Sequence, residues 1–120
     1  MRLDLTIFSA AFVVAFAIGY VAQGSAAEGQ SQDEPTFSVE FHDGKVEPLR
    51  LEVPANRRFK LELRNTGSTP AEFESRELRK EKVLAPNSSS FLVFRTLDAG
   101  EYPFFDDFHP EAPRALLVAK

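Results

Sequence analysis

Six consecutive residues hold the densest set of reactive groups in this chain: Asp106-Asp107-Phe108-His109-Pro110-Glu111. Two carboxylates, an imidazole and a third carboxylate fall within one short loop. Oxygen and imidazole donors at such spacing can hold a hard or borderline cation. Acidic loops are also common as plain solvated surface, so the loop poses a question rather than answering it. The only other imidazole, His42, stands between Glu40 and Asp43. Those three could form a second ligand set, but a surface role is the simpler reading. The chain has no cysteine, which excludes a thiolate metal site. It has no glycine-rich phosphate loop and no Ser-His-Asp signature. Its formal net charge of −4 argues against nucleic acid as a partner.

Short strands must position these groups. Thr36 to His42 alternates, with Phe37, Val39 and Phe41 on one side and polar residues on the other. Asp43-Gly44 signals a turn. Lys45 to Val53 resumes the alternation, and Pro48 predicts a break or an edge position. Arg58 to Arg64 puts Phe59, Leu61 and Leu63 inward. Asn65 to Pro70 is rich in turn formers and reads as a loop. Ala71 to Ser75 is a short segment around Phe73. Arg76 to Lys82 reads as a solvated charged stretch, a helical turn or an exposed edge strand. Ser89 to Thr96, Glu101 to Phe105 and Arg114 to Ala119 complete the pattern. About seven short strands, punctuated by Gly, Pro and Asn, predict an all-β antiparallel sandwich or barrel.

The amino-terminal part is of another kind. Arg2 precedes an almost wholly apolar run from Leu5 to Ala22, and Ser25-Ala26-Ala27 supplies small residues. That pattern predicts a secretory signal peptide over residues 1–27. The other reading is a retained membrane anchor. Both put the folded part outside the cytoplasm, which predicts an exported, periplasmic protein. Residues 28–35 read as a flexible linker and residues 36–120 as the folded domain. An exported domain without disulfides must rely on its core, and its many phenylalanines supply one.

The stretch Gly100-Glu101-Tyr102-Pro103-Phe104-Phe105-Asp106-Asp107-Phe108-His109 resembles the end of a cupredoxin, where a G-x-Y-x-F strand runs into the ligand loop. Asn65-Thr66-Gly67-Ser68-Thr69-Pro70 resembles the N-x-G-x-x-P loop that precedes the upstream histidine ligand. Leu51-Glu52-Val53-Pro54-Ala55 resembles the edge strand of that fold. Three longer matches, Asn65–Glu74, Leu78–Ser88 and Gly100–Pro110, are similar to EfeO-type cupredoxin-like domains, which accompany ferrous-iron uptake permeases. The resemblance implies a cupredoxin-like Greek-key β-sandwich over nearly all of residues 37–118.

The resemblance also implies a substituted metal site. Asp106 falls where a cupredoxin has its cysteine, and His109 falls on the loop histidine. Glu72 falls on or beside the upstream histidine. The axial methionine position lands near Pro113 or Arg114, which cannot ligate, and Asp107, Glu74 and Glu111 could fill in. Replacing thiolate by carboxylate removes the blue copper electronic structure and suits Fe²⁺, Fe³⁺, Mn²⁺ or tetragonal Cu²⁺. The implied function is to bind iron or copper and to aid oxidation or delivery of ferrous iron to a membrane permease. A copper carrier or redox protein and a metal-free β-sandwich interaction module are the other readings. Any ferroxidase-type turnover stays open at this stage.

Overall fold

The computed structural model describes residues 34–120, so the expected signal peptide and most of the linker lie outside the described residues. Nine strands are present: β1 (Thr36–His42), β2 (Lys45–Glu47), β3 (Arg50–Val53), β4 (Phe59–Asn65), β5 (Ala71–Ser75), β6 (Lys80–Leu84), β7 (Ser88–Phe94), β8 (Gly100–Asp106) and β9 (Ala115–Ala119). They form a four-stranded sheet, ordered β2-β1-β4-β7, and a five-stranded sheet, ordered β3-β9-β8-β5-β6. Two pairings are parallel, β1 with β4 and β3 with β9; the others are antiparallel.

The expected all-β sandwich is therefore observed, with two more strands than the alternation predicts. The segment Lys45–Val53 divides into β2 and β3, which belong to different sheets. Pro48 has no N–H to give to a ladder and falls at that division. The charged stretch after Ser75 turns back through Arg76–Arg79, where the Arg79 N–H donates to the Arg76 carbonyl at 3.2 Å. It then forms edge strand β6.

Period-two alternation puts one face of each strand into the interior. On β4, Phe59, Leu61 and Leu63 are fully buried, and on β5 the buried residues are Ala71, Phe73 and Ser75. Phe73 of β5 stacks on Phe104 of β8 with ring centroids 4.9 Å apart, and Phe59 stacks on Phe94 at the same separation. Each buried phenylalanine or leucine contributes about 1.5–3 kcal/mol by leaving water. The cluster draws on strands of both sheets and is closed within residues 39–119.

Asn65 fixes the end of the sandwich that carries the expected site residues. It is 2% exposed, and its amide nitrogen donates to the carbonyls of Thr69, Leu84 and Ala85, while its Oδ1 accepts the Gly67 N–H at 3.0 Å. One side chain thus ties the β4–β5 loop to the β6–β7 turn. Gly67 sits tight against the β1–β2 turn: a Cβ there would lie 2.7 Å from the Asp43 amide nitrogen. Asp43 in turn accepts the N–H groups of Ser68 and Thr69 and the Thr69 hydroxyl at about 3 Å. The Thr69 hydroxyl, ahead of the other causes, holds the Asp43 carboxyl below its ordinary value.

Candidate metal centre

The strands carry the expected site residues to one end of the second sheet and sort them into two groups. Asp106 and His109 face each other in the interior. Glu72, Glu74 and Asp107 meet on the outside.

Asp106 is the last residue of β8, in phase with buried Phe104, and is only 1% exposed. Phe73 of β5 is its register partner. Its Oδ1 accepts the Glu72 N–H at 2.9 Å and the Phe108 N–H at 3.0 Å. Its Oδ2 lies 2.9 Å from His109 Nδ1, so both oxygens have partners. A buried carboxylate needs such company, because an unpaired one would lose its hydration uncompensated. The chain turns directly after the strand, with the His109 N–H donating to the Asp106 carbonyl at 2.9 Å. This turn is what brings His109 back over Asp106. The other face of the ring packs on the β1–β2 turn, where a Cβ on Gly44 would come within 3.4 Å of His109 Cδ2. His109 Nε2 is 3.5 Å from the Thr69 hydroxyl, a long contact beside the Nδ1 bond.

The outer group follows from the same alternation. With Ala71, Phe73 and Ser75 inward, Glu72 and Glu74 point to the opposite face of β5. Asp107, one residue past the end of β8, joins them, its N–H donating to the Glu72 carbonyl at 2.9 Å. One carboxylate oxygen from each of Glu72, Glu74 and Asp107 can be chosen so that all lie within 4.8 Å of one another. Glu81 of β6, the register partner of Glu74, adds a fourth carboxylate. Partial burial raises Glu72 to about 7, helped by a hydrogen bond with Glu81 and by the charges of Asp107, Glu81 and Glu74. Glu74 is also raised, by desolvation first and then by Glu81 and Asp107, while Arg76 acts in the opposite sense. A patch that resists full ionisation is one that a bound cation would relieve.

Glu111 is exposed and lies outside this trio. Arg114, near the expected axial position, stacks its guanidinium on Phe105 at 3.9 Å. His42 is held in a surface chain: its Nδ1 is 3.0 Å from the Thr66 hydroxyl, which donates to Glu40 Oε2 at 2.6 Å. Asp43 stands 3.8 Å from His42 Nε2 but spends Oδ1 on the β4–β5 loop. Two facts escaped the sequence reading. Glu81 belongs to the carboxylate face, and the inward residue directly after Pro70 is Ala71, 2% exposed and without a donor atom. Alternation around Phe73 carried the second signal, and the hairpin register would have carried the first.

Similarity searches agree with this architecture. The profile of the cupredoxin-like domain family matches residues 10–119, so the chain belongs to that family. An uncharacterised protein of Rickettsia prowazekii (strain Madrid E) is 26% identical over 99 residues, covering 82% of this chain and 79% of its own length. Among solved structures, a purple cupredoxin from Nitrosopumilus maritimus superposes with a TM-score of 0.55 at 17% identity, covering 70% of this chain and 99% of that one. Auracyanin A, a "blue" copper protein from Chloroflexus aurantiacus, gives a TM-score of 0.61 at 13% identity, covering 72% and 99%. The reduced auracyanin of Roseiflexus castenholzii gives 0.59 at 11% identity, covering 71% and 96%. At these identities the structural likeness establishes the fold.

The fold family suggests a metal-binding or redox-related role, with copper as the family's metal. A blue copper centre takes two imidazoles, a thiolate and a weak axial ligand. This chain has no cysteine, its inward residue directly after Pro70 is Ala71, which has no donor atom, and its His109 Nδ1 is turned onto Asp106. The residues of the inner pocket do not fit a blue copper centre.

Proposed function

We propose that this protein is an exported, periplasmic cation-binding domain that takes up ferrous iron as cargo and hands it to a membrane uptake permease. The observation that carries the reading is the outer trio Glu72, Glu74 and Asp107, whose donor atoms converge within 4.8 Å of one another. Its donors are hard oxygens, which suit Fe²⁺, Fe³⁺ and Mn²⁺ and do not need a thiolate. Raised carboxyl groups in a domain of a metal-handling fold support a site that stays partly protonated until a cation replaces the proton. The similarity of Asn65–Glu74, Leu78–Ser88 and Gly100–Pro110 to EfeO-type domains supports iron over other cargo. Carboxylates favour Fe³⁺ over Fe²⁺, so the same site would ease iron oxidation if an electron acceptor were supplied. Copper is the competing cargo, because Cu²⁺ outbinds other divalent ions at most nitrogen and oxygen sites.

The test is calorimetric titration of residues 28–120, which carry the whole core, with Fe²⁺ under nitrogen and separately with Cu²⁺. The variant Glu72→Gln/Asp107→Asn serves as the comparison. Iron binding at one site that vanishes in the variant supports the reading. Cu²⁺ binding with no Fe²⁺ binding turns it into a copper carrier. No binding of either ion sinks it.

A second reading, a metal-free interaction module, has its own observation. Phe108 is 49% exposed and Leu49 is 48% exposed. Leu49 helps line a cavity of about 660 Å³ together with Val46, Pro48 and Pro113. The titration that finds no cation would favour this reading.

A further inference from the structure

We propose that Asp106 and His109 are positioning residues: Asp106 ties β5 to the end of β8, His109 holds Asp106 in place, and together they keep Glu72 and Asp107 in register for a cation outside. Asp106 joins β5 to the end of β8, its Oδ1 accepting the Glu72 N–H at 2.9 Å, while its Oδ2 holds His109 of its own loop at 2.9 Å.

Asp106 reaches both sides of the outer site through the main chain. Its Oδ1 takes the Glu72 N–H, and the next residue, Asp107, gives its own N–H to the Glu72 carbonyl. The backbones of two proposed cation ligands are therefore bolted together around one buried oxygen. The Phe108 N–H adds a third bond to Asp106, closing the turn that returns His109. His109 completes the pair from above, wedged against Gly44 with its side chain 21% exposed. Both carboxylate oxygens of Asp106 already have protein partners, two N–H groups on Oδ1 and His109 Nδ1 on Oδ2. Partners placed behind ligands in this way commonly carry about 10- to 100-fold in metal affinity when lost.

The affinity part of the proposal rests on the cation reading above; the pairing part stands without it. The first measurement is side-chain ¹⁵N NMR of His109 in metal-free residues 28–120, followed through a Zn²⁺ titration. A protonated, hydrogen-bonded Nδ1 whose shift does not move with Zn²⁺ is the expected result. An unprotonated Nδ1, or a His109 nitrogen that shifts as Zn²⁺ binds, overturns the proposal. The second measurement compares Mn²⁺ affinity across His109→Asn, His109→Leu and Asp106→Asn. An asparagine amide N–H can stand where Nδ1–H stands, but it removes the imidazole. His109→Asn and Asp106→Asn should keep affinity within about threefold, and His109→Leu should lose about tenfold. Equal losses in His109→Asn and His109→Leu would make the imidazole a ligand and overturn the proposal. If His109→Leu does not fold, the asparagine variants and the wild-type spectrum still decide. If the wild type binds no cation, the function fails but the His109 spectrum still tests the pair.

Discussion

The inner pair and the outer face are built from the same chemistry and behave as opposites. Asp106 is buried with both oxygens bonded. Glu72, one strand away, is half-buried among Glu74, Glu81 and Asp107 and is pushed up to about 7. Both are carboxylates at the same end of one sheet, one residue out of phase. The comparison teaches that in this chain the burial phase of a strand decides whether an acid becomes structure or a potential site. Bonds complete the inner acid, while desolvation and mutual repulsion raise Glu72 and Glu74 outside.

The sharpest way to break the contrast is to remove the inner acid. Asp106→Ala leaves two N–H groups and an imidazole without their shared partner. It should cost about 3–5 kcal/mol, as breaking a buried pair does. Chemical denaturation would show it as a lower midpoint at unchanged slope. Removing the outer acids should do the reverse. Glu72→Gln/Asp107→Asn should lower cation affinity by about 100-fold, or roughly 2.7 kcal/mol, while leaving the metal-free protein as stable as before or more so. Calorimetry and thermal melts on the same samples separate the two effects.

The pH response should differ in sign as well. Glu72 is raised from its ordinary 4.5 to about 7 in the folded chain, so the folded state holds a proton that the unfolded state releases. Below 4.5 both states are protonated and the group contributes nothing; between 4.5 and 7 the folded state progressively loses ground. The metal-free protein should therefore melt at a lower temperature as pH rises through that window. Cation affinity should move the other way, weakening as pH falls below about 7 because protons compete for the site. A Glu72→Gln variant should flatten both trends. The smallest effect is expected at Glu81, whose hydrogen bond and charge both raise Glu72. Glu81→Gln should lower affinity by about threefold, the scale of one solvent-exposed charge interaction, and should shift the pH midpoint of binding downward.

The fold was legible because alternation is a strong signal where one face is buried. Phe59, Leu61 and Leu63 announced β4, and Phe37, Val39 and Phe41 announced β1, though Phe37 lies only partly buried against the cluster. Strand β6 was harder. Lys80-Glu81-Lys82 reads as solvated surface, and it is a strand because β5 offers it a ladder from Ala71 to Ser75, a tertiary cause that no local pattern contains. The site was half legible. The loop sequence put Asp106, Asp107 and His109 together, and the same local spacing could not say that Asp106 and Asp107 would part company. That separation depends on where β8 ends, one residue after Phe105. Likewise, motif position drew attention to Glu72 beside the upstream ligand place, while the strand's phase around Phe73 gives that inward place to Ala71.

The amide of Asn65 and the pair at Asp106 finish the loops of this end without outside help. A protein whose loops were closed by its ion would fold only where the ion was plentiful, because binding energy would be part of its folding energy. Here the loops at this end close on the protein's own side chains, so the domain can take its shape in a medium stripped of metal. On the cation-binding reading proposed above, such a chain would meet a scarce ion already shaped to hold it.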